Sequence, residues 1–451
     1  MQDSLAAMVT DMIRRFGFGS VLRADAPSRA AHVPMQNDLP RAAEVVVIGA
    51  GIAGLSLALH LKDLGHDVLV LEKGAIAGEQ SSRAFGWVYS NGFHPDKLAL
   101  AQRSKALWGE YQTRFGDIGY RICGNATVLS SPEEEAACRD WLAAAEGRTR
   151  ARLLSPEEIA ALYPEIAPPP FGVLYQDDDA MIEPRRTVPQ LAAGMIAEGL
   201  RVVGPCAVLG LRRDGGTITG VETERGFVAA THVVVAGGIW SSKLLASAGV
   251  ALPQLALSTS MQRLRVADAP RGTGYAPDYT WRREEEGTVA IGGLRHIAPV
   301  TPASLRHMAA FLPTLRLPDA RAMLKLRLGR DFLRLWGRAA YQRYRMIAGN
   351  VDARENRDVR RAAQIAVPAF AGAEIVEEWA GIIEATPDST PVISACTHKG
   401  LWILTGFCGN GLSMAPAAGE LLAQMIHGTA EGDPVFSLAR FDHADYFNYR
   451  H

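Results

Sequence analysis

The apolar run Val45-Val46-Val47-Ile48 is followed by an alanine- and leucine-rich stretch with helical spacing, and then by a second short run, Val68-Leu69-Val70-Leu71-Glu72. Short unbroken apolar runs of this kind predict buried strands, so the first eighty residues read as strand, helix, strand. Further on, Val188–Gly199 and Leu200–Val203 repeat the helix-then-strand pattern. Val208–Leu211 and Ile218–Glu222 alternate like a small antiparallel excursion, and Thr231–Gly238 is another buried strand ending in glycines. Leu401–Leu404 precedes a predicted helix from about Met414 to Ile426. Between these pieces, Pro95 to Met181 reads as helices with mixed strands, and Val289–Gly293 as a glycine-rich strand. The order predicts an α/β protein whose parallel sheet is assembled from separated stretches of chain.

Two stretches carry a helical period with less certain burial. Leu5, Met8, Val9, Met12 and Phe16 recur at helical spacing before Pro27, Pro34 and Pro40 break the chain, predicting an amphipathic helix and a tether. Such a helix packs on the body of its own protein or on a membrane or partner. Between Arg321 and Arg345 there are eight basic residues and one acid, Asp331. As a helix over Met323–Arg338, that segment sets Leu324, Leu328, Phe332 and Leu335 opposite Arg327, Arg330, Arg334 and Arg338, with Trp336 beside the apolar side. This suits either an anionic membrane surface or a solvated surface helix, and Gly329 and Gly337 weaken the helix.

Composition narrows the class without naming an activity. A chain of 451 residues, 48% apolar and 21% charged, is long enough for two domains and is neither disordered nor fibrous. The formal net charge of -1 supplies no global attraction to nucleic acid. The five cysteines include no CxxC pair and are odd in number, which argues against a disulfide framework or a zinc knuckle and favours a reducing cytoplasm; no metal site is expected. There is no signal-peptide pattern and no run long enough to span a bilayer.

The candidate chemistry begins at Gly49-Ala50-Gly51-Ile52-Ala53-Gly54. With a strand before it, a helix after it and Glu72 closing the next strand, this is a dinucleotide cradle: glycines for close backbone approach, helix N–H groups for the pyrophosphate, an acid for the ribose. The cradle alone does not separate FAD from NAD. A second glycine cluster, Thr405-Gly406-Phe407-Cys408-Gly409-Asn410-Gly411, also opens a helix. It is either a plain turn or a source of N–H groups for the negative charge that a reduced flavin carries over N1 and its C2 carbonyl.

Together, the cradle, Glu72-Lys73, Gly78-Glu79-Gln80-Ser81-Ser82-Arg83, the Val233–Gly238 strand, Thr386-Pro387-Asp388 and the Gly406–Gly411 loop resemble the D-amino-acid-oxidase-like FAD-dependent amine oxidoreductases. A closer resemblance is to the membrane-associated bacterial L-amino-acid deaminases, carried by Ile76–Arg83, by Val233–Gly238 and by an insertion from about Ser304 to Phe370. The resemblance implies noncovalent FAD, since no cysteine stands at Ala380 or its neighbours. It places Gln80, Ser81, Ser82, Arg83 and Gly86 along the cofactor, Ala207 and Val208 at adenine, and Ala236, Gly237, Gly238, Gly381, Gly406, Gly409, Asn410, Gly411 and Leu412 around the remainder. It sets Arg295 on the substrate carboxylate, for which a guanidinium fork is chemically apt, and Gln262 near the substrate.

Trp87 stands where the deaminases have a glutamine, and Phe407 where they have a tryptophan, so the pocket differs from theirs. The implied layout has an FAD-binding domain from 44–95, 183–245 and 371–451, and an α+β substrate domain with a mixed antiparallel sheet from 96–182 and 246–303. A basic helical insertion spans 304–370 and an N-terminal segment 1–43. The implied reaction is oxidation of an amino acid, L-amino acids favoured, to a keto acid and ammonia, with oxygen or a membrane quinone as acceptor. A secondary or N-methyl amine or a D-amino acid is the alternative substrate. A peripheral membrane electron carrier and an NAD dehydrogenase are the other readings. The implied location is the cytoplasm, with peripheral membrane contact through 321–345.

Overall fold

The computed structural model describes residues 20–442 except 146, 168–169, 285–286 and 332–339. The helix expected from Leu5 to Phe16 lies outside the described residues. A central parallel sheet runs in the order Arg201–Val203, Val68–Leu71, Ala42–Ile48, Gly226–Val235, Leu401–Thr405. Its strands come from widely separated stretches, as the pattern of apolar runs predicts. Val45, Val46 and Val47 are wholly buried, each side chain contributing roughly 1.5–3 kcal/mol by leaving water. The excursion is also present: Val208–Asp214 and Thr217–Thr223 pair antiparallel, and the second pairs with the outer half of Gly226–Val235.

The helix Ile52–Asp63 is apolar nearly all round because it is covered twice, by the sheet and by the helix Gly411–His427. Close approach requires glycine at both contacts. A Cβ on Gly54 would meet the Gly49 carbonyl at 2.0 Å, and one on Gly419 the Leu57 amide at 2.6 Å.

A ten-stranded mixed sheet forms the second layer, with Leu255–Arg265 at its centre, hydrogen-bonded along its length to Glu374–Ala385 and in part to Thr288–Gly292. Alternation along that central strand decides the fate of each residue. Thr259, Met261 and Arg263 face one way; Ser258, Ser260 and Gln262 face the helix Ala353–Ala366.

Two expectations are corrected here. Leu324–Arg327 is not helical: it is the edge strand of the second sheet, parallel to His296–Pro299. Leu-Lys-Leu-Arg alternates with period two, and a strand partner outweighs the weak helical spacing that Gly329 already interrupts. Phe332, Arg334, Leu335, Trp336, Gly337 and Arg338 lie outside the described residues. Residues 20–43 are no loose tether either. Leu22–Ala24 pairs antiparallel with Ile347–Gly349, its start held by Asp331, which accepts the Val21 amide at 2.6 Å. Gln36 then bridges to Val203 at the edge of the parallel sheet. The segment is a strap stitched to both layers.

Candidate active site

One deep cleft runs between the two sheets, from Glu72 and Val208 at one end to Phe85, Met261, Phe407 and Leu412 at the other. The cradle forms its first wall. Gly49 has φ +109°, and a Cβ there would lie 2.6 Å from the Ala236 carbonyl, so only glycine fits. Gly51 opens the helix without a side-chain cap, and the Ile52 amide donates to Ser81 Oγ at 3.0 Å. Glu72 accepts from the amides of Ala50 and Gly74, and burial raises its pKa. These residues suit a dinucleotide: the backbone is bare where a pyrophosphate needs N–H groups, and an oriented acid stands where a ribose needs an acceptor.

The cleft gathers Gly49, Gly51, Ile52, Ala53, Glu72, Lys73, Gln80, Ser81, Arg83, Val208, Ala236, Gly237, Gly238, Gly381, Phe407, Gly409, Gly411 and Leu412. Other expected residues stand behind its wall. Gly54 packs on Gly49, Ser82 is buried, and a Cβ on Gly86 would meet Arg282 Nε at 2.9 Å. The Ala207 amide donates to Glu224, the Gly406 amide to Glu384, and Asn410 Oδ1 accepts from the Tyr89 hydroxyl at 2.9 Å.

Neither of the two polar residues expected on the substrate lies in this cleft. Gln262 points to the opposite face of its strand, where Nε2 donates to the Asn356 carbonyl at 2.7 Å and Oε1 accepts from Arg360 at 2.6 Å. It clamps the Ala353–Ala366 helix. Arg295 sits in the turn after Thr288–Gly292, 48% exposed, 3.8 Å from Glu355 and 3.9 Å from Asp358 on that same helix. A Cβ on neighbouring Gly293 would strike Glu355, so the turn is pressed against the helix and away from the cleft.

The cleft has its own cation. Arg83 is 6% exposed, donates to the Pro27 carbonyl of the strap at 2.6 Å, and has a buried Nε without a partner. No carboxylate lies within ion-pair distance of it among the described residues. Burial, and then the charge of Arg29, lowers its pKa to about 10. Beside it, the Met261 face of the sheet continues into a buried network: Arg263 donates to Glu284 and Glu377, Arg282 to Glu183 and Glu284, and Arg29 and Arg263 stack over Trp379 at 4.8 and 5.5 Å.

A row of aromatic rings leads away from Phe85; of that row only Phe85 lines the cleft, and Trp87, expected on the substrate, stands behind it. Phe85, Trp87 and Tyr89 occupy alternate positions of the chain and Phe93 follows after a turn; neighbours in the row meet edge to face, with centroids 5.1, 5.3 and 4.7 Å apart. Trp87 is fixed by donating to the Trp281 carbonyl, and the Tyr89 amide by donating to Ser413 Oγ. Asp179, wholly buried, accepts the amides of Ser90 and Asn91 and pairs with Lys105 at 2.9 Å; burial pushes its pKa up to about 6.

Glu384, Met261, Thr259 and Phe85 are cleft residues that sequence reasoning missed. For Glu384 a signal exists: a lone acid ending the apolar run Trp379-Ala380-Gly381-Ile382-Ile383. Among the described residues no group of His, Cys, Asp and Glu is arranged to hold a metal ion, and no helix is long and apolar enough to cross a membrane.

A family profile described as DAO, FAD dependent oxidoreductase, matches residues 44–425. An L-amino acid deaminase from Proteus myxofaciens, solved in complex with anthranilate, superposes with a TM-score of 0.88 at 29% identity, covering 93% of this chain and 98% of that one. Glycine oxidase of Pseudomonas putida is 26% identical over 411 residues, 88% of this chain and 97% of its own. The sarcosine oxidase beta subunit of an Arthrobacter species is 25% identical, over 88% and 91% respectively.

Proposed function

The chain belongs to the DAO family of FAD-dependent oxidoreductases, enzymes acting on amino-acid and amine donors, and from that premise we propose that it deaminates an L-amino acid. FAD held there would supply a two-electron acceptor for the α-hydrogen of such a donor, and the imine so formed would be hydrolysed by water to a keto acid and ammonia. The cradle, Glu72 and the helix end at Gly411 and Leu412 hold the cofactor noncovalently. Arg83 anchors the substrate carboxylate, and its buried, unpaired guanidinium inside the cleft is the observation that carries the reading. A fork of parallel N–H donors fixes the carboxylate in plane and thereby aims the α-carbon. Phe85 and Phe407 wall the side chain and exclude water. No side-chain base is required when the amine binds neutral.

Anaerobic bleaching of the flavin spectrum by L-amino acids, D-amino acids and N-methyl amines tests the proposal. Fast bleaching by L-amino acids alone supports it, and bleaching only by another class transfers the function to that class.

The same reading includes peripheral membrane docking. Leu305, Met308 and Leu312 form an exposed row on and just beyond the helix Pro302–Phe311, Leu326 stands 64% exposed on the edge strand, and Arg306, Arg316, Lys325, Arg327 and Arg330 are exposed in the same module. Apolar side chains rimmed by cations suit an anionic bilayer surface. Replacing Leu305, Met308 and Leu312 with serine is expected to abolish cosedimentation with vesicles containing phosphatidylglycerol. Unchanged cosedimentation removes the docking model.

A further inference from the structure

Glu384 is a carboxylate with no cation. It is 5% exposed on the wall of the cleft, between Gly238 and the second glycine loop, and among the described residues no lysine, arginine or histidine lies within ion-pair distance of it. Only neutral groups reach it. Oε1 accepts the amides of Gly406 at 3.0 Å and Phe407 at 3.3 Å; Oε2 accepts the Thr405 hydroxyl at 3.0 Å and Gln254 Nε2 at 3.2 Å.

Two of those partners are backbone N–H groups, which can donate but never accept. Gln254 is committed as well, because its Oε1 accepts the Ser242 amide at 3.1 Å and its Nε2 also donates to the Gly238 carbonyl at 3.1 Å. Desolvation raises its pKa, and the three fixed donors aimed at the same carboxyl group oppose that rise by favouring its ionised form. A buried, unpaired charge is expensive to keep, and a neutral residue could fill this place at lower cost. The cost becomes intelligible if the charge itself acts on whatever occupies the cleft.

We propose that Glu384 is a resident anion of the cofactor site and that its charge holds down the electron affinity of the bound flavin. This role for Glu384 rests on the FAD reading given above. Negative charge that accumulates on a flavin during reduction meets a fixed negative neighbour in a medium far less polarisable than water, so repulsion that water would screen persists. Opposing it, the first-turn amides of Gly411 and Leu412 at the start of the Gly411–His427 helix face the cleft with the positive end of the helix dipole. Glu384 thus also withdraws two amides of the loop, those of Gly406 and Phe407, from the cofactor. In this arrangement it is a positioning and tuning residue, and it takes no proton from the substrate.

Sulfite provides the readout, since it adds to N5 of a flavin and leaves negative charge on the ring; its affinity reports how the site treats that charge without any turnover. In Glu384→Gln, loaded with FAD, the sulfite dissociation constant is expected to fall at least tenfold, while Glu384→Asp, which keeps the charge, stays within threefold of wild type. A Glu384→Gln protein within twofold of wild type, or equal shifts in both variants, overturns the proposal in favour of a purely structural loop clamp. If Glu384→Gln does not take up FAD, the aspartate variant carries the test, and a tenfold change in its sulfite affinity overturns the proposal. A wild-type protein that takes up no FAD overturns the cofactor reading itself, and this inference with it.

Discussion

Arg83 and Arg295 carry the same guanidinium, and their surroundings separate them. Arg295 is half in solvent and already faces two acids, so a substrate carboxylate offered to it competes with water and with Glu355 and Asp358. Arg83 is buried, unpaired and in the cleft. Replacing Arg83 with alanine is expected to raise KM for the amino acid by about 10–100-fold, the size of a lost charge-assisted hydrogen bond, and lysine is expected to recover only part of it. Arg295→Ala should stay within about twofold of wild type, as befits a surface ion pair. Steady-state kinetics on both variants check the pair. Gly49→Ala places a Cβ against the Ala236 carbonyl at a φ of +109°, and the variant is expected to purify without its yellow colour, read as the ratio of absorbance at flavin and protein wavelengths. The cradle residues were legible because their backbone demands are local. Gln262 was not, because a shift of one position in a strand sends a side chain to the other face, and sequence alone does not fix that register; Arg295 was not, because the turn that carries it is held against the Ala353–Ala366 helix by a contact distant in sequence.

At the scale of elements, helices and strands with a single strong period were readable, including the parallel strands and the helix after the second glycine loop. The edge strand Leu324–Arg327 was not, since four residues satisfy both periods and the deciding fact is a partner strand nearby. The strap was hidden for a similar reason: Leu22–Ala24 has no pattern of its own and becomes a strand only against Ile347–Gly349. Its attachment rests heavily on one side chain. Asp331 is wholly buried and accepts the amides of Val21 and Leu22, as well as the Ser20 hydroxyl. Asp331→Ala leaves those amides without an acceptor, at about 1–3 kcal/mol. The expected result is rapid cleavage by added protease between residues 20 and 40, with slower loss of the rest of the chain, followed by gel electrophoresis and mass spectrometry.

For the whole molecule, pH acts through buried carboxylates that join the layers. Asp179 holds the aromatic segment against the second layer, and its pKa stands at about 6, above the ordinary aspartate value, because burial penalises its charged form. The folded protein therefore binds this proton more readily than the unfolded chain. Asp179 favours folding most at the low end of the window between roughly pH 4 and 6, and that contribution is lost as pH rises through it. Asp179→Asn, in which Lys105 keeps Asp178 at 2.9 Å, is expected to flatten the wild-type slope in denaturant unfolding across that range. A parallel wild-type and variant slope would locate the pH sensitivity elsewhere.

The cleft's two glycine walls lie far apart in the chain, one after Ala42–Ile48 and the other after Leu401–Thr405, and the strap waits for Ile347–Gly349. During synthesis, then, the cradle has nothing to close against until Leu401–Thr405, far downstream, has left the ribosome. Cofactor loading is therefore expected to follow synthesis of that strand, with the apolar lining of the cleft unfilled in the interval. Flavin supply during expression should accordingly govern how much protein survives to be soluble, as well as how much of it is yellow.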